Sequence, residues 1–229
     1  MVDVLRKVEG DAVVLFDNSG AEYAGVIERI IGGGAGLSVD VRLTGAMQAD
    51  REPAVKIVLA AAIPKGDRAD VMVQKCAELG CHTLVPMECE RSVVRFVEGR
   101  EGKIEKWRRI ALEASKQCGR SRIMEIAAAC AFKDVISLGS WAQQAAPPAS
   151  LGVICALAPE ARPLKNLLAE KGHPKDIICL VGPEGGFTDE ELKQALAAGL
   201  HPVTLARSVL RTETAAIAAA AIIQAEYLA

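Results

Sequence analysis

The sequence predicts an α/β protein with a mostly parallel sheet, helices on both of its faces, and a small β domain ahead of it. Two observations lead there. Beyond Pro53, strand-type apolar runs alternate with helix-type amphipathic runs, the order of a parallel sheet covered by its own crossover helices. Before Pro53 there are only short β-type runs broken by turn residues.

Within the first fifty residues, Ala12-Val-Val-Leu-Phe-Asp17, the stretch from Glu22 to Ile31 and that from Leu37 to Leu43 read as strands. Asp17-Asn-Ser-Gly20 and the glycine cluster 32–36 separate them, so a small antiparallel sheet or barrel is expected. The glycine cluster opens no helix, which favours a hairpin turn over a phosphate loop. Ala49-Asp-Arg-Glu-Pro53 reads as a linker between a β domain at 1–50 and an α/β domain at 54–229. In the second domain, strands are expected at Val55–Ala61, Thr83–Pro86, Met124–Ala128, Leu151–Leu157, Ile177–Val181 and Pro202–Leu205. Helices are expected at Gly66–Leu79, Gly102–Gly119, Leu164–Glu170, Thr188–Ala198 and Thr212–Tyr227. The clearest start signal is Thr188-Asp-Glu-Glu191, a capping box in which threonine and glutamate satisfy each other's free N–H groups. Ile177-Ile-Cys-Leu-Val181 has the unbroken apolar character of a strand buried on both faces.

Composition narrows the function classes. The 229 residues suffice for one large domain or two modest ones. Apolar residues make up 51% and aromatics 3%, so the core must be built from Ala, Val, Leu and Ile. A formal net charge of −2 argues against indiscriminate nucleic-acid binding but allows a local basic face. No apolar run reaches the length of a membrane span, and the N-terminus lacks a signal-peptide pattern. Seven scattered cysteines without Cys-x-x-Cys fit reduced thiols in a cytoplasmic protein, and no metal site is expected.

The chemistry concentrates in two segments near the C-terminus. Val181-Gly-Pro-Glu-Gly-Gly-Phe-Thr188 leaves a buried strand through glycines that let backbone approach a ligand. Leu205-Ala-Arg-Ser-Val-Leu-Arg-Thr-Glu-Thr-Ala215 places two arginines and two hydroxyls ahead of an alanine-rich helix. Both lie at strand ends, where open α/β sheets bind ligands. As structure alone, the first is a strand-to-helix turn, while Thr212 or Thr214 can cap the last helix and Glu213 suits its positive end. Arg211 has no such explanation, and a guanidinium there points to an anionic partner or a developing oxyanion. A third region is basic. Lys106, Arg109, Lys116 and Arg120 share one side of the helix at 102–119, Arg122 follows, and Arg91, Arg95 and Arg100 precede it. A solvated face would explain one such helix. The density of Arg and Lys from 91 to 122 points instead to a phosphate-backbone contact surface.

Nearly the whole chain resembles the bacterial 16S (small-subunit) rRNA uridine N3-methyltransferases of the SPOUT superfamily of trefoil-knot methyltransferases. The resemblance rests on Lys65-Gly-Asp-Arg68, Gln74-Lys-Cys-Ala-Glu-Leu-Gly80, Glu90-Arg-Ser-Val-Val94, Gln117-Cys-Gly-Arg120, Gly182-Pro-Glu-Gly-Gly-Phe-Thr188 and Leu210-Arg-Thr-Glu-Thr-Ala215, in that order. It implies S-adenosyl-L-methionine as cofactor, 16S rRNA of the small ribosomal subunit as substrate, and a homodimer with the site at its interface. It also implies a PUA-like N-terminal β domain that helps bind RNA, and a C-terminal segment threaded into a knot, against the usual rule. The cofactor would lie against Leu157, Val181, Gly182, Pro183, Glu184, Gly185, Gly186, Leu205, Ala206, Val209, Leu210 and Thr214. RNA would meet Arg6, Arg91, Arg120 and Arg122, together with Lys106, Arg109 and Lys116 of the basic helix. The chain departs from the family pattern at Ala206, where glycine is usual, and at Ser208, where arginine is usual. Asp3 also stands where a histidine usually follows a first strand, which implies a truncated β domain.

In the mechanism so implied, Arg211 stabilises the imide anion of uracil, and Glu213 or Glu184 takes the N3 proton. Two alternatives remain open at this point: an inactive RNA-binding protein of the same fold, and a methyltransferase of this superfamily acting on another RNA nucleotide.

Overall fold

The computed structural model describes residues 7–32, 37–48, 51–95, 101–139 and 150–228. They form two compact units: Met1–Glu52 with Gly119–Arg122, and Pro53–Cys118 with Ile123–Ala229. Arg6, Arg100 and most of the glycine cluster lie outside the described residues.

The smaller unit is a three-stranded antiparallel sheet of β1 (Ala12–Phe16), β2 (Ala21–Ile31) and β3 (Ser38–Gln48), in that order. β1 and β2 join at Asp17-Asn-Ser-Gly20, where Asn18 and Gly20 take φ of 70° and 97° and Asp17 accepts the Ser19 N–H at 2.9 Å. β3 runs to Gln48, past the expected end at Leu43, because β2 is long enough to pair with it throughout. Register shifts at Ala24/Gly25 and Ile27/Arg29 bend that pair, as bulges do. Residues 119–122 staple the unit. Arg51 Nη1 donates to the Gly119 carbonyl at 2.7 Å, and the Arg120 guanidinium meets the Glu52 carboxylate at 2.7 Å. That segment was expected to belong to the α/β domain; local periodicity could not show that two ion-pairing arginines would carry it to the β unit.

The larger unit holds an eight-stranded sheet whose recorded pairings are all parallel. Its strands are β4 (Lys56–Ala62), β5 (Thr83–Glu88), β6 (Glu125–Ile126), β7 (Cys130–Ala131), β8 (Leu151–Cys155), β9 (Arg162–Pro163), β10 (Asp176–Val181) and β11 (His201–Thr204). The order is β6-β5-β4-β10-β8-β11-β9, with β7 paired to β5. Among the described residues six helices accompany them: α1 (Arg68–Glu78), α2 (Glu101–Cys118), α3 (Phe132–Gly139), α4 (Leu164–Lys171), α5 (Asp189–Ala197) and α6 (Thr212–Glu226).

Strand side chains alternate between two cores, which is why the central strands carry no polar face. On one face Ile57, Leu59, Ala61, Ile177, Cys179 and Val181 pack with buried residues of α1, α2, α4 and α6. On the other, Ala60, Ala62, Ile178 and Leu180 pack with Phe132 and Val135 of α3 and Ala195 of α5. Leu59 is fully buried, and its truncation to alanine would cost about 2–5 kcal/mol. The alanines of α6 let it approach closely, and Ala216, Ala219 and Ala220 are buried beneath it. α3 and the two-residue strands β7 and β9 were not expected. Phe132, Val135 and Ile136 do repeat at helical spacing, but the apolar run Ile126–Ala131 ahead of them hides where the helix begins.

Candidate functional site

β8, β10 and β11 are parallel neighbours, so their carboxyl ends open on the same edge of the sheet. A cavity of about 340 Å³ lies there, lined by Cys155–Leu157, Val181–Asp189 and most of Val203–Thr212. Eleven of the twelve residues expected to hold a cofactor line it: Leu157, Val181, Gly182, Pro183, Glu184, Gly185, Gly186, Leu205, Ala206, Val209 and Leu210. The twelfth, Thr214, is exposed on α6 outside the lining.

The 181–188 turn has a local explanation. Gly186 takes φ of 69° and donates its N–H to the Pro183 carbonyl at 2.8 Å, closing a tight turn. A Cβ at Gly182 would lie 3.0 Å from the Phe187 ring, which would have to shift to admit it. Phe187 in turn packs on Phe132 with ring centroids 5.6 Å apart. The expected capping box forms: Glu191 N–H donates to Thr188 Oγ1 at 3.2 Å, and Thr188 N–H to Glu191 Oε2 at 2.8 Å.

Just after the 205–211 segment, Thr212 Oγ1 donates to the Gly182 carbonyl of that turn at 3.1 Å. Thr212 therefore cross-links the two turns and does not cap α6. Arg211 holds the cap position, in extended backbone and without a side-chain capping bond. Its side chain is exposed, and it does not line the cavity. Glu184 does line it. Glu213 sits behind, 12% exposed, with Oε2 buried and lacking a hydrogen-bond partner.

Arg68, at the start of α1, joins the two carboxylates: its Nη1 lies 3.4 Å from Glu184 and 3.9 Å from Glu213. The sequence reading gave it no role. The signal that singled out Arg211, a cation where the helix dipole disfavours one, applies equally to Arg68.

The basic stretch is largely engaged within the chain. Arg120, expected to contact RNA, is 4% exposed and paired with Glu52, so its charge is already used. Arg122 donates to the carbonyls of Asn18 and Ser19. Lys106 pairs with Asp70 at 2.6 Å, and that hydrogen bond raises its pKa. Lys116 pairs with Glu113 at 2.8 Å. Arg91 donates to the Gly185 carbonyl at 3.0 Å. Arg109 is 78% exposed and meets Glu105 only at 4.0 Å, which leaves its charge open to a ligand.

Two buried thiols are held in the neutral form. The hydrogen bond to Cys155 and complete burial push Cys179 well above the ordinary thiol range, and burial raises Cys89 to about 12. Neither supplies a thiolate at neutral pH.

Residues 51–224 match the family model described as an RNA methyltransferase domain. The chain is 30% identical over 222 residues to a ribosomal RNA small subunit methyltransferase E from Synechocystis, covering 97% of this chain and 68% of that one. A Legionella pneumophila protein described as a methyltransferase, solved with SAM bound, superposes with a TM-score of 0.81 at 33% identity, covering 98% of this chain and 86% of that one. The ribosomal RNA small subunit methyltransferase E of Neisseria gonorrhoeae, solved with S-adenosyl methionine, gives a TM-score of 0.81 at 27% identity, covering 99% and 87%.

Proposed function

From the premise that this chain belongs to the RNA methyltransferase family, whose model spans residues 51–224, we propose that it methylates N3 of a uridine in 16S rRNA of the small ribosomal subunit, with S-adenosyl-L-methionine as donor. The larger unit has the SPOUT-type fold. One observation carries the reading: the turns that follow β10 and β11, the two strands flanking β8, are cross-linked through Thr212 and wall a single cavity.

The cavity fits the donor. Its volume of about 340 Å³ falls within the range for small-molecule sites. Leu157, Leu205, Val209 and Leu210 give apolar walls for a base, and the 182–188 backbone gives polar groups for its edge and for ribose. Glu184 sets a carboxylate where a cationic donor is favoured.

When bound, S-adenosyl-L-methionine supplies an electrophilic methyl group on a sulfonium. The chain's own residues must hold the target base in line with it, which is where much of such catalysis arises. N3 of uracil is protonated at neutral pH, so its proton leaves as the N–C bond forms. Glu184 accepts that proton, since of the two candidate carboxylates it is the one lining the cavity. Arg68, 3.4 Å from Glu184 and 3.9 Å from Glu213, orients the two carboxylates. Arg211, exposed beside the second turn, stabilises the charge that spreads onto the uracil oxygens. The base enters unpaired or flipped.

The protein works in the cytoplasm as a homodimer. Leu157 and Val209, 70% and 76% exposed at the cavity rim, favour cover by a second copy. The β unit, PUA-like in this reading, helps hold RNA, and the segment leading into α6 is threaded as a knot. The decisive experiment transfers labelled methyl to small subunits from cells lacking the protein and maps the product. One labelled N3-methyluridine is expected; label on a ribose or another base would replace the substrate, and no label would remove the activity.

A further inference from the structure

Arg91 belongs to the basic stretch, yet its side chain turns to the cavity wall. Nη1 donates to the Gly185 carbonyl at 3.0 Å and reaches the Phe187 carbonyl at 3.4 Å. Its aliphatic stem lies against Gly185, where an added Cβ would meet Arg91 Cβ at 3.3 Å. The neighbouring Glu90 N–H donates to Glu191 Oε1 at 2.7 Å, and Glu191 is buried at 7% exposure. The segment that makes these contacts is itself fixed, by Cys89 N–H to Ser92 Oγ at 2.9 Å and Arg95 Nη1 to the Cys89 carbonyl at 2.9 Å.

These bonds act on two peptide planes. In a trans peptide the carbonyl and the following N–H point in opposite directions, so bonding both ends prevents the plane from flipping. The 185–186 plane is held by Arg91 at its carbonyl and by the Pro183 carbonyl at its N–H, 2.8 Å away. The 187–188 plane is held by Arg91 at its carbonyl and by Glu191 at its N–H, also at 2.8 Å. Both planes border the cavity.

We propose that Arg91 is a positioning residue for the methyl donor: from the 89–95 segment it clasps the 182–188 turn in its binding conformation, and so sets donor affinity without RNA. This rests on the reading that the cavity holds S-adenosylmethionine. It separates Arg91 from a simple phosphate contact, for which any cation would serve.

The test compares wild type, Arg91→Ala and Arg91→Lys without RNA, by calorimetric titration of S-adenosylmethionine and by amide hydrogen exchange of residues 184–188. Lysine keeps the charge, but its ammonium stops a bond short of the two carbonyls. Both variants should bind the donor about five- to tenfold more weakly, the worth of one charge-assisted hydrogen bond at a partly exposed site. Their Gly186 and Thr188 amides should exchange faster than in wild type before any ligand is added. In steady state, KM for the donor should rise while kcat at saturation holds. Wild-type donor affinity in Arg91→Lys, with RNA binding lost only in Arg91→Ala, would return Arg91 to a phosphate contact. Unchanged amide exchange would overturn the clasp whatever the cavity binds. No heat from wild type would instead sink the reading of the cavity, and Arg91's role toward the donor with it.

Discussion

The two strand-end turns and the basic stretch from 91 to 122 stand out for the same reason, a local excess of residues with chemistry to offer, yet the fold treats them in opposite ways. In the turns, all ten of the residues expected to hold a cofactor converge on one cavity, which Leu157 also lines. In the basic stretch most charges are taken up within the chain: Arg120 by Glu52, Lys106 by Asp70, Lys116 by Glu113, Arg122 by backbone carbonyls and Arg91 by the glycine turn. The difference is one of cause. The 182–188 turn is formed by its own glycines, proline and cap together with the strand that feeds it, all local features, and the distant Arg91 and Thr212 then hold it. Whether a cation stays free depends on which carboxylate the fold brings near, and Glu52 lies 68 residues from Arg120.

Substitutions can break or sharpen this contrast. Arg211→Ala should have the largest effect, lowering kcat roughly 10²–10³-fold, as loss of one donor to a developing oxyanion does, with donor affinity within a few-fold. Single-turnover kinetics beside calorimetry separates these, and lost donor binding with intact chemistry would reverse the assignment. Arg120→Ala should cost about 2–4 kcal/mol of stability in urea, because it strands the Glu52 carboxylate. Pairing it with Glu52→Gln should restore part of that loss, which a direct RNA contact does not predict. Arg109→Ala should be the mildest: folding unchanged, RNA affinity slightly lower, and the salt dependence of binding shallower by about one unit. A stability change there would mean that the basic stretch is structural throughout.

What the sequence made legible follows the same division. The strands at 55–61, 83–86 and 177–181 fall within a residue or two of their observed bounds because their apolar character comes from burial on both faces, a property local to the run. The capping box at Thr188 was readable because both partners lie within one turn. Thr212 was misread as a possible cap because its partner, the Gly182 carbonyl, is 30 residues away. Arg68 stands in the sequence only within the matching segment Lys65-Gly-Asp-Arg68, with no role assigned, since its meeting with Glu184 and Glu213 depends on β4 and β10 being neighbours. Thr214 went the other way, a reasonable hydroxyl that the helix turns outward.

The central claim is that the paired turns hold the methyl donor, and the sharpest measurement is calorimetric titration of S-adenosylmethionine into wild type and Gly182→Val, with thermal melting of both as control. A branched side chain at 182 must displace the Phe187 ring, which now lies 3.0 Å from where its Cβ would sit. Wild type should bind one donor per chain, and the variant should bind about 10- to 100-fold more weakly, the range for overpacking a tight contact. Equal affinities in two folded proteins would place the donor elsewhere and contradict the account.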